Sequence, residues 1–100
     1  MHNLIVTAFA FGALLVSGAA QANEALAKSK NCMSCHTVDK KLVGPAYKDI
    51  AAKNQGKNME AQMVQSIIKG SSGKWGPIPM PANNVSEGDA RTLAKWILSL

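Results

Sequence analysis

The sequence predicts a small all-α domain. Its last segment carries one apolar stripe at helical spacing, formed by Ala90, Leu93, Ala94, Ile97 and Leu98. No segment shows with any strength the alternation of apolar and polar residues that is typical of a β-strand. Residues 70–84, rich in Gly and Pro, lack both patterns and are predicted to form a long loop, a kind of segment that is often functional in small domains.

Two predicted helices precede the middle of the chain. Residues 24–30 are rich in Ala, Lys and Leu and predict a short first helix. Residues 47–53 have apolar residues at helical spacing, and Gln55-Gly56 follows as a stop signal.

Two further helices are predicted in the second half. The third runs from Met59 to Lys69, with Asn58 as its N-cap and Gly70 as its C-terminal stop. The fourth begins after Ser86, which stands three residues before Asp89 as in a capping box with Asp in place of Glu. We expect this last helix to cross the first one.

The N-terminal residues predict export. Residues 4–16 are apolar apart from Thr7 and Gly12, small residues follow, and Ala20-Gln21-Ala22 matches the rule for signal cleavage. We therefore expect residues 1–22 to be a cleaved signal peptide and residues 23–100 to form one mature domain in the periplasm. The alternative, a membrane anchor, is disfavoured because the apolar stretch is short for a span. One feature departs from the usual signal peptide, since Met1 to Asn3 contain no Lys or Arg.

The balance of charge favours an acidic partner. Eleven Lys and Arg residues stand against six Asp and Glu residues, for a formal net charge of +5. Nucleic acid is the rival partner for a basic chain. The lysines are scattered, however, without clustering or interleaved aromatic residues, so nucleic acid binding is not expected.

Cys32-Met33-Ser34-Cys35-His36 is the most informative run in the chain. The order C-x-x-C-H is typical of covalent attachment of c-type haem. Each thiol can add to one haem vinyl group to form a thioether, and His36 can then bind the iron as the proximal ligand. A βαβ context would favour a dithiol oxidoreductase instead, and none is predicted.

A second iron ligand is expected from the long loop. Met80 follows Pro77 and Pro79 and precedes Pro81, and each Pro fixes φ and so stiffens the loop. Methionine with histidine is the ligand pair of cytochromes c. Met59 and Met63 lie instead on a helical stripe, which predicts packing in the core.

These residues together give the mature chain a resemblance to small bacterial class I cytochromes c, closest to the cytochrome c-551 type. The resemblance covers nearly all of residues 24–99. It is carried by Cys32-x-x-Cys35-His36, by Val43-Gly44-Pro45-Ala46-Tyr47-Lys48-Asp49, by Trp75-Gly76-Pro77-Ile78-Pro79-Met80, by Asn83, and by Leu93-Ala94-Lys95-Trp96.

The resemblance implies a fold and a set of roles. About four short helices would wrap around one covalently bound haem c, with the N- and C-terminal helices packed together. His36 and Met80 would be the axial ligands of the iron. The carbonyl of Pro45 would accept a hydrogen bond from His36, Asn83 would bond near the sulfur of Met80, and the indole N–H of Trp75 would reach a haem propionate. Trp96 is expected to be packed in the core.

The chain also departs from the pattern. Ala27 stands where family members often carry a bulky aromatic residue, and Ser66 stands where they often carry Arg or Lys near the inner propionate.

The resemblance implies an electron carrier, not an enzyme, that is expected to be monomeric. Its donor would be a membrane bc complex, and its acceptor a haem cd nitrite reductase, a cbb-type oxidase or a peroxidase. Lys28, Lys30, Lys69 and Lys74 are candidates for the rim of the docking surface. The alternative is a haem peroxidase or gas sensor with a labile sixth ligand, which would need a distal acid–base group.

Overall fold

The structure is a computed structural model that describes residues 23–100. The predicted signal peptide, residues 1–22, lies outside the described residues. Within residues 23–100, no helix is long and apolar enough to cross a membrane.

The described chain is all-α, as predicted. Helix α1 covers residues 23–29, and a 3-10 turn follows at Cys32–Ser34. Helices α2, α3 and α4 span Tyr47–Lys53, Glu60–Lys69 and Glu87–Leu98. The sequence therefore predicted the number, order and type of these helices correctly.

Helix α4 is the centre of the fold. It packs against both α2 and α3, and it contributes Ala90, Leu93, Ala94, Trp96 and Ile97 to the buried core. The N- and C-terminal helices also contact each other, because Ala27 of α1 is fully buried in the same cluster as Ala90, Leu93 and Ala94 of α4. A small residue at position 27 thus lets the two helices approach closely. Trp96 is buried in this core, as expected.

Two local features differ from the sequence-based expectation. Helix α3 begins at Glu60 with Met59 in the N-cap position, so Asn58 is not the cap, and no side chain caps this end. The loop that was predicted to lack regular structure contains one antiparallel bridge, between Ser71 and Met80. The bridge joins residues nine positions apart, which local composition does not reveal.

The cap of α4 provides a test of the fold. Ser86 Oγ accepts a hydrogen bond from the backbone N–H of Asp89 at 3.1 Å. Ser86→Ala leaves that N–H without its partner, and we expect the free energy of unfolding to fall by about 1 kcal/mol. Thr92→Ala, on an exposed turn of the same helix, is the control and should change it by less than half as much. Denaturant titration of both variants measures the difference, and equal effects would contradict the capping role.

Candidate functional site

A large cavity of about 670 Å³ lies beside the helical core. Its volume is in the range typical of cofactor and small-molecule sites, roughly 300–1,000 Å³. Its wall is mostly apolar, and Leu93 and Ile97 of α4 contribute to both the core and this wall. The predicted site residues that line it are Cys32, Cys35, His36, Pro45, Trp75 and Met80.

The two cysteines reach the cavity from one tight turn. Cys35 N–H bonds to the carbonyl of Cys32 at 3.2 Å, and His36 N–H bonds to the same carbonyl at 3.0 Å. Both cysteines are free and partly exposed, and both line the cavity. The C-x-x-C spacing therefore brings two thiols to the same cavity.

One ring nitrogen of His36 is engaged in a hydrogen bond. The residue is 7% exposed, and Nδ1 lies 2.8 Å from the carbonyl oxygen of Pro45. A carbonyl can only accept, so in the neutral imidazole Nδ1 carries the proton and Nε2 keeps a free lone pair. A histidine that binds a metal through Nε2 needs this tautomer. The hydrogen bond that the resemblance implied is present.

Two further contacts fix the plane of the His36 ring. Tyr47 stacks on it, with ring centroids 5.0 Å apart and an angle of 21° between the planes. Gly44 lies against it so closely that a Cβ atom there would stand 2.6 Å from Cε1. The backbone at Gly44 and the Tyr47 ring thus leave the imidazole little freedom to rotate.

Burial affects the acid groups beside His36. It raises the pKa of the Cys32 thiol above its ordinary value. Burial, together with the neighbouring Cys32, also raises the pKa of Tyr47 well above its ordinary range. Tyr47 therefore stays neutral, and the ring that stacks on His36 carries no charge. Sequence analysis placed Tyr47 in a helix and in a run that carries the resemblance, but it did not predict the contact with His36. That contact depends on how the turn before α2 folds back.

Met80 is positioned through its backbone. Its N–H donates to the carbonyl of Ser71 at 2.8 Å, and its carbonyl accepts from the N–H of Ser71 at 3.0 Å. Gly70 allows this approach, because a Cβ atom there would stand 2.6 Å from the Met80 carbonyl oxygen. The partly buried Met80 side chain then lines the cavity. The loop that carries it is therefore tied down at its base as well as stiffened by proline.

The chain after Met80 is tied to the end of α3. The last carbonyls of a helix lack partners within it. Here the carbonyl of Ile67 accepts from the backbone N–H of Asn83 at 3.1 Å and from its side-chain Nδ2 at 3.0 Å. Asn83 Nδ2 also lies 3.4 Å from the carbonyl of Pro81. The structure thus gives Asn83 a role in anchoring this segment, and its contact with the Met80 sulfur stays a prediction.

Other residues that the sequence singled out lie around the mouth of the cavity. Trp75 is 41% exposed on its wall, so its indole is not part of the core. Its bond to a propionate stays a prediction. Met59 and Met63 were expected in the core, but both line the cavity, and Met63 also packs against the core. Ser66, at the position often basic in the family, lines the cavity too.

These residues fit a c-type haem. One apolar cavity contains two thiols, an imidazole whose Nε2 is free, and a thioether on an anchored loop. Imidazole and thioether are the two ligand types of iron in cytochromes c. The absence of a side chain at Gly44 leaves room for the imidazole against the backbone.

Comparisons with known proteins agree with this fit. Residues 20–100 match the family model described as Cytochrome c. The chain is 54% identical to cytochrome c-551 of Pseudomonas aeruginosa over 95% of this chain and 93% of that protein. It is 58% identical to cytochrome c-552 of Nitrosomonas europaea over 92% and 91%. The crystal structure of that wild-type cytochrome c552 matches with a TM-score of 0.75 and 54% identity, over 77% of this chain and 98% of that one.

The two close approaches of glycine allow a test of the site. Gly44→Ala should displace the His36 ring, and Gly70→Ala should displace Met80, because each new Cβ would overlap atoms at 2.6 Å. We expect each variant to lose about 1–3 kcal/mol of stability and to show an altered haem absorption spectrum.

The matched control is Gly88→Ala in α4, where a Cβ atom would meet nothing closer than Ser86 Oγ at 4.0 Å. It should be neutral or slightly stabilising, since Ala favours a helix over Gly by about 1 kcal/mol. Thermal unfolding and visible spectra of the haem-loaded variants distinguish the outcomes. An unchanged spectrum in Gly44→Ala and Gly70→Ala would contradict this account of the site.

Proposed function

The chain belongs to the cytochrome c family, and from this membership we propose that it carries single electrons between redox proteins in the periplasm. Family membership and the run Cys32-x-x-Cys35-His36 imply one covalently bound haem c. The observation that carries the proposal is that His36 and Met80 line the same cavity as the two thiols. No residue is assigned a catalytic role.

The chain's own residues attach and orient the cofactor in this proposal. Cys32 and Cys35 would hold the haem through two thioethers, and His36 would bind the iron through Nε2. The bound haem supplies the redox chemistry, since its iron can alternate between ferrous and ferric states. Pro45 and Tyr47 hold the imidazole in one orientation through a hydrogen bond and a ring stack. A ligand fixed in this way stays in place when the charge of the iron changes.

Met80 is proposed as the second residue that would bind the iron. Its backbone is paired with Ser71 on both its N–H and its carbonyl, so the thioether does not depend on a flexible loop for its position. Met/His ligation raises the reduction potential of cytochromes c. Filling the sixth position also disfavours binding of small molecules to the iron. Both properties suit an electron carrier.

The lysines around the cavity support an acidic partner. Lys41, Lys53, Lys57 and Lys74 line the cavity, and no Asp or Glu does. The ion pairs among residues 23–100 use other cations, namely Lys28, Lys30, Lys48 and Arg91. Of the docking candidates chosen from sequence, only Lys74 lines the cavity. We therefore place the docking surface at the cavity mouth, where exposed Leu42, Val43 and Ile78 give it an apolar centre.

The partners are proposed by class. An apolar centre with a rim of unpaired lysines fits a small, transient interface with an acidic redox protein. The resemblance to cytochrome c-551 favours a membrane bc complex as donor and a haem cd nitrite reductase, a cbb-type oxidase or a peroxidase as acceptor. Export by residues 1–22 would bring the chain to the compartment of these partners.

Spectroscopy of a methionine variant tests the proposed ligation. Met80→Ala should abolish the methionine–iron charge-transfer band of the oxidised protein, because the thioether that binds the iron is removed. Met63→Leu is the matched control, since Met63 lines the same cavity from α3, and it should keep the band. Loss of the band in Met63→Leu instead, or ready binding of carbon monoxide by the unmodified ferrous protein, would contradict the proposal.

Electron-transfer kinetics test the proposed docking surface. We expect the second-order rate of oxidation by hexacyanoferrate(III), an anion, to fall as ionic strength rises, because salt screens the attraction of surface charges. At low ionic strength Lys74→Gln should slow the reaction by about twofold. Lys28→Gln removes the same charge from α1, where Lys28 pairs with Glu24, and should slow it less. Equal slowing by both variants would show that only net charge matters.

A further inference from the structure

The mouth loop, residues 72–79, is fixed by hydrogen bonds at its base and has few hydrogen bonds elsewhere. The Ser71–Met80 pair closes the base. Within residues 23–100, no backbone–backbone hydrogen bond involves a residue of the mouth loop. Most of its residues nevertheless line the cavity. Within residues 23–100, a side-chain contact reaches the tip of the loop from outside it.

Lys53 makes that contact from helix α2. Its Nζ lies 4.4 Å from the centroid of the Trp75 ring and 3.4 Å from the carbonyl oxygen of Lys74. A lysine ammonium over the face of a Trp ring is attracted by the ring quadrupole, most strongly for Trp among the aromatic residues. Lys53 is the last residue of α2, so the ammonium is presented by a regular helix and not by another loop.

The backbone of the mouth loop would otherwise be easy to displace. Gly73 and Gly76 flank the contact, with φ of 81° and 119°. A Cβ atom at either glycine would meet nothing within 4 Å, so the loop is loosely packed there. Ile78 is 64% exposed and contributes little restraint. The contact with Lys53 thus falls on the part of the loop with the least other support.

We propose that Lys53 is a positioning residue that pins Trp75, and through it the mouth loop, over the cavity. This inference rests on the proposed function only in taking the cavity to hold haem. The pin limits the access of water to the cavity mouth. It acts on the tip of the loop, whereas the Ser71 pair holds Met80 at the base. Loss of the pin therefore loosens Trp75 and leaves the Met80 ligand in place.

NMR relaxation of the reduced, haem-loaded protein tests the pin. In Lys53→Met, which keeps an unbranched side chain but loses the charge, the order parameter of the Trp75 indole N–H should fall below its value in the unmodified protein, toward the range below about 0.6 that is typical of flexible groups. Lys53→Arg should restore it, because a guanidinium also stacks on aromatic rings. The buried indole of Trp96 is the internal reference and should not change.

Lys57→Met is the matched control for charge. Lys57 also lines the cavity, but the cation–π contact among residues 23–100 is that of Lys53 with Trp75. We expect the order parameter of the Trp75 indole N–H in Lys57→Met to equal that of the unmodified protein. Removal of a nearby positive charge should lower the reduction potential in both variants. Lys53→Met should lower it further, because water reaches the cavity more easily and solvent exposure is one determinant of haem potential.

The outcomes separate this inference from the proposed function. A rigid Trp75 indole in Lys53→Met, or potentials lowered equally by Lys53→Met and Lys57→Met, would overturn the pin even if electron transfer proceeds normally. A loosened Trp75 with the methionine–iron band retained supports it. That result would stand even if the protein failed to exchange electrons with any acidic partner, in which case the proposed function alone would be wrong.

Discussion

The constraint on which this structure depends is that a short chain surrounds a cavity that its own side chains do not fill. Leu93 is the only large side chain among residues 23–100 that is fully buried. Both Leu93 and Ile97 face the cavity as well as the core. Atoms that line unfilled space lose dispersion contacts on that side. The cofactor that family membership implies therefore completes the core against which α4 packs.

The two proposed iron ligands are positioned by different means, and their chemistry explains why. An imidazole has a second nitrogen, so the carbonyl of Pro45 can set both its tautomer and its orientation, and Tyr47 can stack on its ring. A thioether has no donor and only a weakly accepting sulfur. Met80 must therefore be placed through its main chain, which the pair with Ser71 and the anchor at Asn83 accomplish. Proline at three nearby positions assists but does not replace these bonds.

The helices and the haem-attachment motif Cys32-x-x-Cys35-His36 could be predicted from the sequence because both depend on local pattern. The bounds of α2 and the Ser86 cap of α4 were predicted correctly. The Ser71–Met80 pair was missed, because a single bridge between loop segments has no periodic signal. Met59 and Met63 were assigned to the core, since an apolar helical face looks the same whether it meets protein or cofactor. The docking lysines stay a prediction, and the fold adds that Lys28 and Lys30 pair with acidic residues, which the sequence alone does not reveal.

The distribution of charge links the mouth loop to the proposed docking surface. Acidic residues neutralise lysines on the outer faces of the helices, which leaves the cavity-lining lysines without acidic partners among residues 23–100. One of these, Lys53, is engaged instead with the ring of Trp75. A partner carboxylate that approached Lys53 would compete with that ring for the ammonium group. Since charge–charge attraction at a partly desolvated interface is stronger than an exposed cation–π contact of about 0.5–1 kcal/mol, docking would weaken the pin. The proposed surface and the proposed pin therefore act through a shared residue, and the mobility of Trp75 would depend on whether a partner is bound.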